Sequence, residues 1–125
     1  MDGENRMKHN ESTEMYLETI LLLKKKNSDV HAIDVAVELD YSRASVSRAM
    51  KRLEEKGYIE IVHNVINFTP LGEKTAKDVY ERHHAIKKLL VMLGADEELA
   101  ERDACRIEHV VSSELMELIK KFTQK

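Results

Sequence analysis

One cysteine, one proline, four glycines and no tryptophan stand in these 125 residues. A lone thiol excludes an internal disulfide and points to a reducing compartment, so a cytoplasmic protein is expected. One proline and few glycines leave little to interrupt helices. No apolar run approaches the roughly 20 residues of a membrane span, and the N-terminus has no apolar core of a secretion signal. No membrane partner is therefore expected. The chain also has no glycine-rich phosphate loop and no nucleophile constellation, which argues against an enzyme.

What is present is a mixture of 42% apolar and 34% charged residues, enough for a core under a well-solvated, helix-rich surface. The length suits one domain, or two small lobes sharing a long helix. A net charge of −3 speaks against nucleic acid, but its distribution reverses that inference. Arg43, Arg48, Lys51 and Arg52 lie between Ser42 and Arg52 with no acid among them. From Ala95 to Glu114 seven acids face two basic residues, a local charge of −5. One pole suits phosphate and the other a cation.

Apolar periodicity at Leu17, Ile20, Leu21 and Leu23 predicts a first helix capped by Ser12 or Thr13, with a frayed polar segment before it. A short helix from about His31 to Leu39 follows, then a third from Ser42 to Lys56 with Gly57 at its end. Tyr58 to Val62 and Val65 to Phe68 read as strands joined by a His63-Asn64 turn. Thr69-Pro70 opens a long helix to about Leu93. Asp96 caps a fifth helix to about Val111, and Ser112 or Ser113 starts a last one. The expected fold is mainly α with a small β-hairpin wing: a winged helix-turn-helix over residues 1–70, then a second, helical domain over 71–125.

In the third helix Val46, Ala49, Met50 and Leu53 are expected in the core. That leaves Ser42, Arg43, Ser45, Ser47, Arg48, Lys51 and Arg52 for its exposed side and N-terminal end. Short hydroxyls and arginines there suit base edges and phosphates of double-stranded DNA. The wing, Tyr58 to Thr69, has no Lys or Arg and adds little Coulombic grip.

Cys105-Arg106-Ile107-Glu108-His109 places a thiol, a carboxylate and an imidazole at i, i+3 and i+4, one face of a helix. All three side chains bind transition metals. Taken singly, the cysteine has an ordinary reading as a small buried hydrophobe.

Three segments, Ser12 to Ile20, Arg82-His83 and above all Asp103 to Ser112, carry a resemblance to the diphtheria toxin repressor family of metal-dependent transcriptional regulators. Val46-Ser47-Arg48 and Phe68-Thr69-Pro70-Leu71-Gly72 fit as well. The resemblance spans Thr13 to Phe122 and implies a short form without the SH3-like domain of longer members. It implies an effector site at Met15, Cys105, Glu108 and His109, and a second site using His83 and Glu101. Lys87 stands where that second site's remaining carboxylate is expected. Manganese-type members place a carboxylate at the position of Glu18, so a mixed site of Glu18, His83 and Glu108 is a further option. Thioether, thiolate, imidazole and carboxylate together favour Fe²⁺ over Mn²⁺.

The resulting expectation is a homodimer that binds operator DNA when loaded with a divalent metal and controls metal homeostasis. Leu99, Ile107, Val110, Val111, Leu115 and Leu118 would be buried between its subunits. Rival readings are a winged-helix regulator sensing an organic ligand or oxidation of Cys105, a metalloenzyme using Glu108 as base, and a protein-interaction module.

Overall fold

A computed structural model describes residues 2–124, with side chains from Ser12 onward. Among the described residues the order is α1 (Asp2–Lys26), α2 (Ala32–Leu39), α3 (Arg43–Glu55), β1 (Ile59–Val62), β2 (Val65–Phe68), α4 (Pro70–Met92), α5 (Glu97–Ile107) and α6 (Ser113–Thr123). This is the mainly helical, winged architecture that the apolar periodicity predicts.

Two element boundaries differ from expectation. α1 opens at Asp2 rather than at a Ser12 or Thr13 cap, so both hydroxyl residues lie inside the helix. Glu4, Arg6, Met7, Lys8 and Glu11 are good helix formers, and no proline precedes Ser12 to stop the helix there. The expected fraying concerns residues whose side chains lie outside the described part. α5 ends at Ile107, four residues short of Val111. His109-Val110-Val111 is a run of weak helix formers, and the Ser112 side chain immediately accepts from the Leu115 amide to start α6.

The chain divides into two compact units, with the division inside α4 between Lys77 and Asp78. In the unit of residues 12–77, α1, α2, α3 and the hairpin enclose an apolar core of Leu17, Ile20, Val35, Val46, Met50, Leu53, Ile59 and Ile66. All four core positions expected of α3 are buried, Val46 completely. Each such aliphatic side chain contributes about 1.5–3 kcal/mol by leaving water.

The hairpin pairs Ile59 with Phe68 and Val62 with Val65. His63 and Asn64 both take positive φ, the backbone of a tight turn that twists with its strands. Polar contacts aim the wing. The Ile61 amide donates to the Glu54 carboxylate at 3.1 Å, and His31 Nδ1 meets the Asn64 carbonyl at 2.8 Å. The Thr69 hydroxyl donates to the Gly57 carbonyl and accepts from the Gly72 amide, fixing the start of α4. A Cβ on Gly72 would stand 1.8 Å from the Tyr58 carbonyl oxygen, so only glycine allows this approach.

In the unit from Asp78 onward a smaller apolar cluster of Ile86, Ala104, Met116 and Ile119 joins α4, α5 and α6. Asp96 and Ser112 cap α5 and α6 through the Leu99 and Leu115 amides, as their positions predict.

Candidate metal centre and nucleic-acid interface

The α3 N-cap is Ser42, whose hydroxyl accepts from the Ser45 amide at 3.1 Å. Burial of Val46, Ala49, Met50 and Leu53 turns the opposite face outward. Ser42, Arg43, Ser47, Arg48, Lys51 and Arg52 are exposed there, and Ser45 is half-buried. Four cations and short hydroxyls near the N-terminal end of a helix are suited to phosphate and base-edge hydrogen bonds.

The second candidate site lies in the unit from Asp78 onward and is organised by His83. This α4 side chain is 8% exposed, and both its nitrogens meet carboxylates of the α5 segment. Nδ1 is 2.8 Å from Glu108 Oε2, and Nε2 is 2.9 Å from Glu101 Oε1. The Cys105 sulfur lies 3.9 Å from Nδ1. Glu101, Cys105 and Glu108 follow one another at i, i+4 and i+7, which is one face of a helix. Glu108 closes α5 as its C-cap with helical φ −57° and ψ −26°, so it keeps that alignment. His109 stands beyond the end of α5, and its Nε2 is 3.3 Å from Glu108 Oε1.

Contacts with the Cys105 sulfur and with the Glu108 and Glu101 carboxylates push the His83 imidazole up to about 11, against the opposing effect of burial. In this form both ring nitrogens carry protons and donate to the flanking carboxylates. Burial raises Glu101, but the Lys87 ammonium and His83 outweigh it and hold the carboxyl below its ordinary range. Lys87 Nζ is 3.0 Å from Glu101 Oε2 and 3.3 Å from Glu97 Oε1. The Arg82 guanidinium donates to the Glu108 backbone carbonyl, at the open end of α5.

Donor atoms of His83, Glu101 and Cys105 all lie within 4.8 Å of one another. Ligands of one transition-metal ion, bound at about 2.0–2.3 Å, sit closer together than this. A small closing motion of exposed Glu101 and Cys105 would supply the difference, and an imidazole, a carboxylate and a thiolate form a compatible donor set. The residues therefore fit a divalent transition metal. The cleft beside them, lined by Lys87, Glu97, Glu101, Arg102 and Cys105, opens the thiol side to solvent.

Met15 and Glu18, the α1 positions that the resemblance adds, belong to the other unit. Both are half-buried, and the Tyr41 hydroxyl approaches the Met15 sulfur at 3.8 Å. Sequence reasoning missed Arg82 and Glu97 as members of the polar network around His83. Glu97 was discoverable, since it precedes Glu101 by one helical turn and faces a lysine-bearing helix.

A winged reading head followed by a helical unit with a cluster of transition-metal donors defines a metal-responsive DNA-binding regulator. Comparison with known proteins makes the class specific. Residues 8–65 match the iron dependent repressor N-terminal DNA binding domain, and residues 69–125 match the iron dependent repressor metal binding and dimerisation domain. The chain belongs to this family of metal-dependent transcriptional repressors.

The transcriptional regulator MntR of Escherichia coli O6:H1 is 36% identical over 88% of the chain and 72% of its own length. The diphtheria toxin repressor of Corynebacterium diphtheriae is 32% identical over 84% of the chain, which spans 47% of that relative. A solved manganese-dependent transcriptional repressor in complex with manganese shares the fold, with a TM-score of 0.82 at 24% identity over 90% of the chain and 52% of that structure. Among the described residues no helix is long and apolar enough to cross a membrane.

Proposed function

We propose that this chain is a homodimeric repressor whose binding to operator DNA requires a divalent cation, with Fe²⁺ favoured over Mn²⁺, and that it controls metal homeostasis. The observation that carries this reading is the convergence on His83 of Glu101 at Nε2 and of Cys105 and Glu108 at Nδ1. A bound cation would supply a positive charge shared by these donors. His83 already holds a comparable charge as its doubly protonated ring, poised between two carboxylates. Proton and metal therefore compete for one place. The resemblance assigns Met15, Glu18 and His109 to metal binding as well, and these remain part of the proposal.

Thiolate and imidazole are softer donors than Mn²⁺ prefers, which is why Fe²⁺ is favoured. DNA recognition falls to Ser42, Arg43, Ser45, Ser47, Arg48, Lys51 and Arg52 on α3. Dimerisation falls to the apolar surface of α5 and α6, where Leu99, Val110, Leu115, Leu118 and Phe122 are more than a third exposed. Ile107 and Val111, expected in the same surface, pack against the unit's own core. Metal binding to one of two conformational populations, the one with correctly spaced reading heads, would shift the balance toward DNA.

The test replaces Cys105 or Glu108 with Ala and measures metal-dependent retention of a duplex selected from a random pool with the metal-loaded wild type. Loss of metal dependence with an unchanged circular dichroism spectrum is expected. Unaltered metal dependence would sink the site assignment. Exposure of Cys105 supports a second reading, a regulator switched by thiol oxidation. Peroxide should then release DNA from metal-free protein, and chelator should have no effect.

A further inference from the structure

Glu101 is held from two sides. Its Oε1 meets His83 Nε2 at 2.9 Å, and its Oε2 meets the Lys87 ammonium at 3.0 Å. The same ammonium reaches Glu97 Oε1 at 3.3 Å. Two helical pairs therefore face each other: His83 and Lys87 on α4, Glu97 and Glu101 on α5, each pair one turn apart. The Lys87 side chain is only 25% exposed, whereas that of Glu97 is 84% exposed and that of Glu101 50%.

Two carboxylates one turn apart repel each other, and without a counter-charge they offer oxygen ligands to a hard divalent ion. An ammonium is a compact charge with three donors, sufficient to satisfy both. It is tethered to α4 and cannot diffuse away. We propose that Lys87 is a built-in counter-cation for Glu97 and Glu101, competing with an incoming divalent ion for Glu101 and excluding a second ion from between the two carboxylates. This rests on the reading of His83, Glu101 and Cys105 as metal donors. It adds that the chain sets its own threshold for the metal through a residue that ligates nothing.

Equilibrium dialysis of Mn²⁺ and Co²⁺, with metal content measured by atomic emission, tests this on full-length wild type, Lys87→Met, Lys87→Glu, Glu101→Gln and the Glu101→Gln/Lys87→Met double variant. Circular dichroism verifies that each variant is folded. Lys87→Met should tighten binding by up to about fivefold, the scale of a partly exposed ion pair that the incoming ion no longer has to break. Lys87→Glu should bind one more ion per subunit than the wild type. In the Glu101→Gln background, removing Lys87 should change affinity little, because the competition runs through that carboxylate.

Wild-type affinity and stoichiometry in both Lys87 variants would overturn the proposal while leaving the metal site standing. Tightening of the same size that persists in the Glu101→Gln background would overturn the route through Glu101. Absence of binding in the wild type and every variant would overturn the metal reading itself, and the role of Lys87 with it.

Discussion

The two units of this chain place their charges in opposite ways. In residues 12–77 the core is apolar, and the one buried polar side chain among the described residues, Thr19, donates to the Met15 carbonyl of its own helix. Arg43, Arg48, Lys51 and Arg52 all stay at the surface. From Asp78 onward the apolar cluster is smaller, and His83 and Glu108 are buried at 6% and 2% exposure. Buried ionisable groups are costly unless paired, so their arrangement depends on protons and cations in a way that apolar packing does not. Most of the proposed cation response then falls to the second unit, with Met15 and Glu18 the proposed donors from the first.

The comparison breaks most severely at His83. His83→Ala removes the group that joins Glu101, Cys105 and Glu108, and should weaken divalent-metal binding by more than about 100-fold, beyond the loss expected of residues that only orient a ligand. Calorimetric titration with Mn²⁺ or Co²⁺ reads this directly, and near-wild-type affinity would remove His83 from the site. Met50→Ala should instead lower stability by about 2–5 kcal/mol through a cavity in the α3 core. Its signature in urea unfolding is a lower midpoint, with a metal stoichiometry unchanged in the folded protein. Arg48→Ala should weaken operator binding by about 1–3 kcal/mol if it reads a base, or reduce the salt slope by about 1 if it meets a phosphate. Fluorescence anisotropy at several salt concentrations separates the two, and metal affinity should not move.

The last of these effects is graded by pH. His83 rises from its ordinary 6.5 to about 11 on folding, so its stabilising contribution to the metal-free protein is complete below about pH 6.5 and is lost as pH rises through about 11. Glu101 shifts the other way, and its contribution is lost as pH falls into the carboxylate range. Metal must displace a proton from His83, so apparent affinity should tighten by at least about tenfold per pH unit between about 6.5 and 8.5, the share of that one proton. Heats of Mn²⁺ binding in buffers of different ionisation enthalpy count that proton. A pH-independent affinity would show that His83 does not exchange its proton for metal.

Much of the fold is written in local patterns. Val46, Ala49, Met50 and Leu53 recur at helical spacing and are buried; Ser42, Asp96 and Ser112 cap the helices they precede. The His63-Asn64 turn follows from the β-rich runs around it. The ends of α1 and α5 were less legible. Whether Ser12 starts a helix or lies inside one depends on residues upstream, and whether α5 reaches Val111 depends on competition from the Ser112 cap. At the candidate metal centre the spacing of Cys105 and Glu108 was visible in the sequence. Glu101 and His83 came only through family resemblance, because their meeting depends on how α4 and α5 pack. The double role of Lys87, tying both Glu97 and Glu101, is a tertiary fact with no local signature beyond the i, i+4 acidic pair.

One anaerobic titration shows whether metal in the His83 cluster governs the reading head on α3. A labelled duplex, selected from a random pool with Fe²⁺-loaded protein, is followed by fluorescence anisotropy as chelator and then Fe²⁺ or Mn²⁺ are added. Release on chelation and recovery on metal are expected, with Fe²⁺ effective at a lower free concentration than Mn²⁺. DNA binding that survives complete metal removal would contradict control by metal.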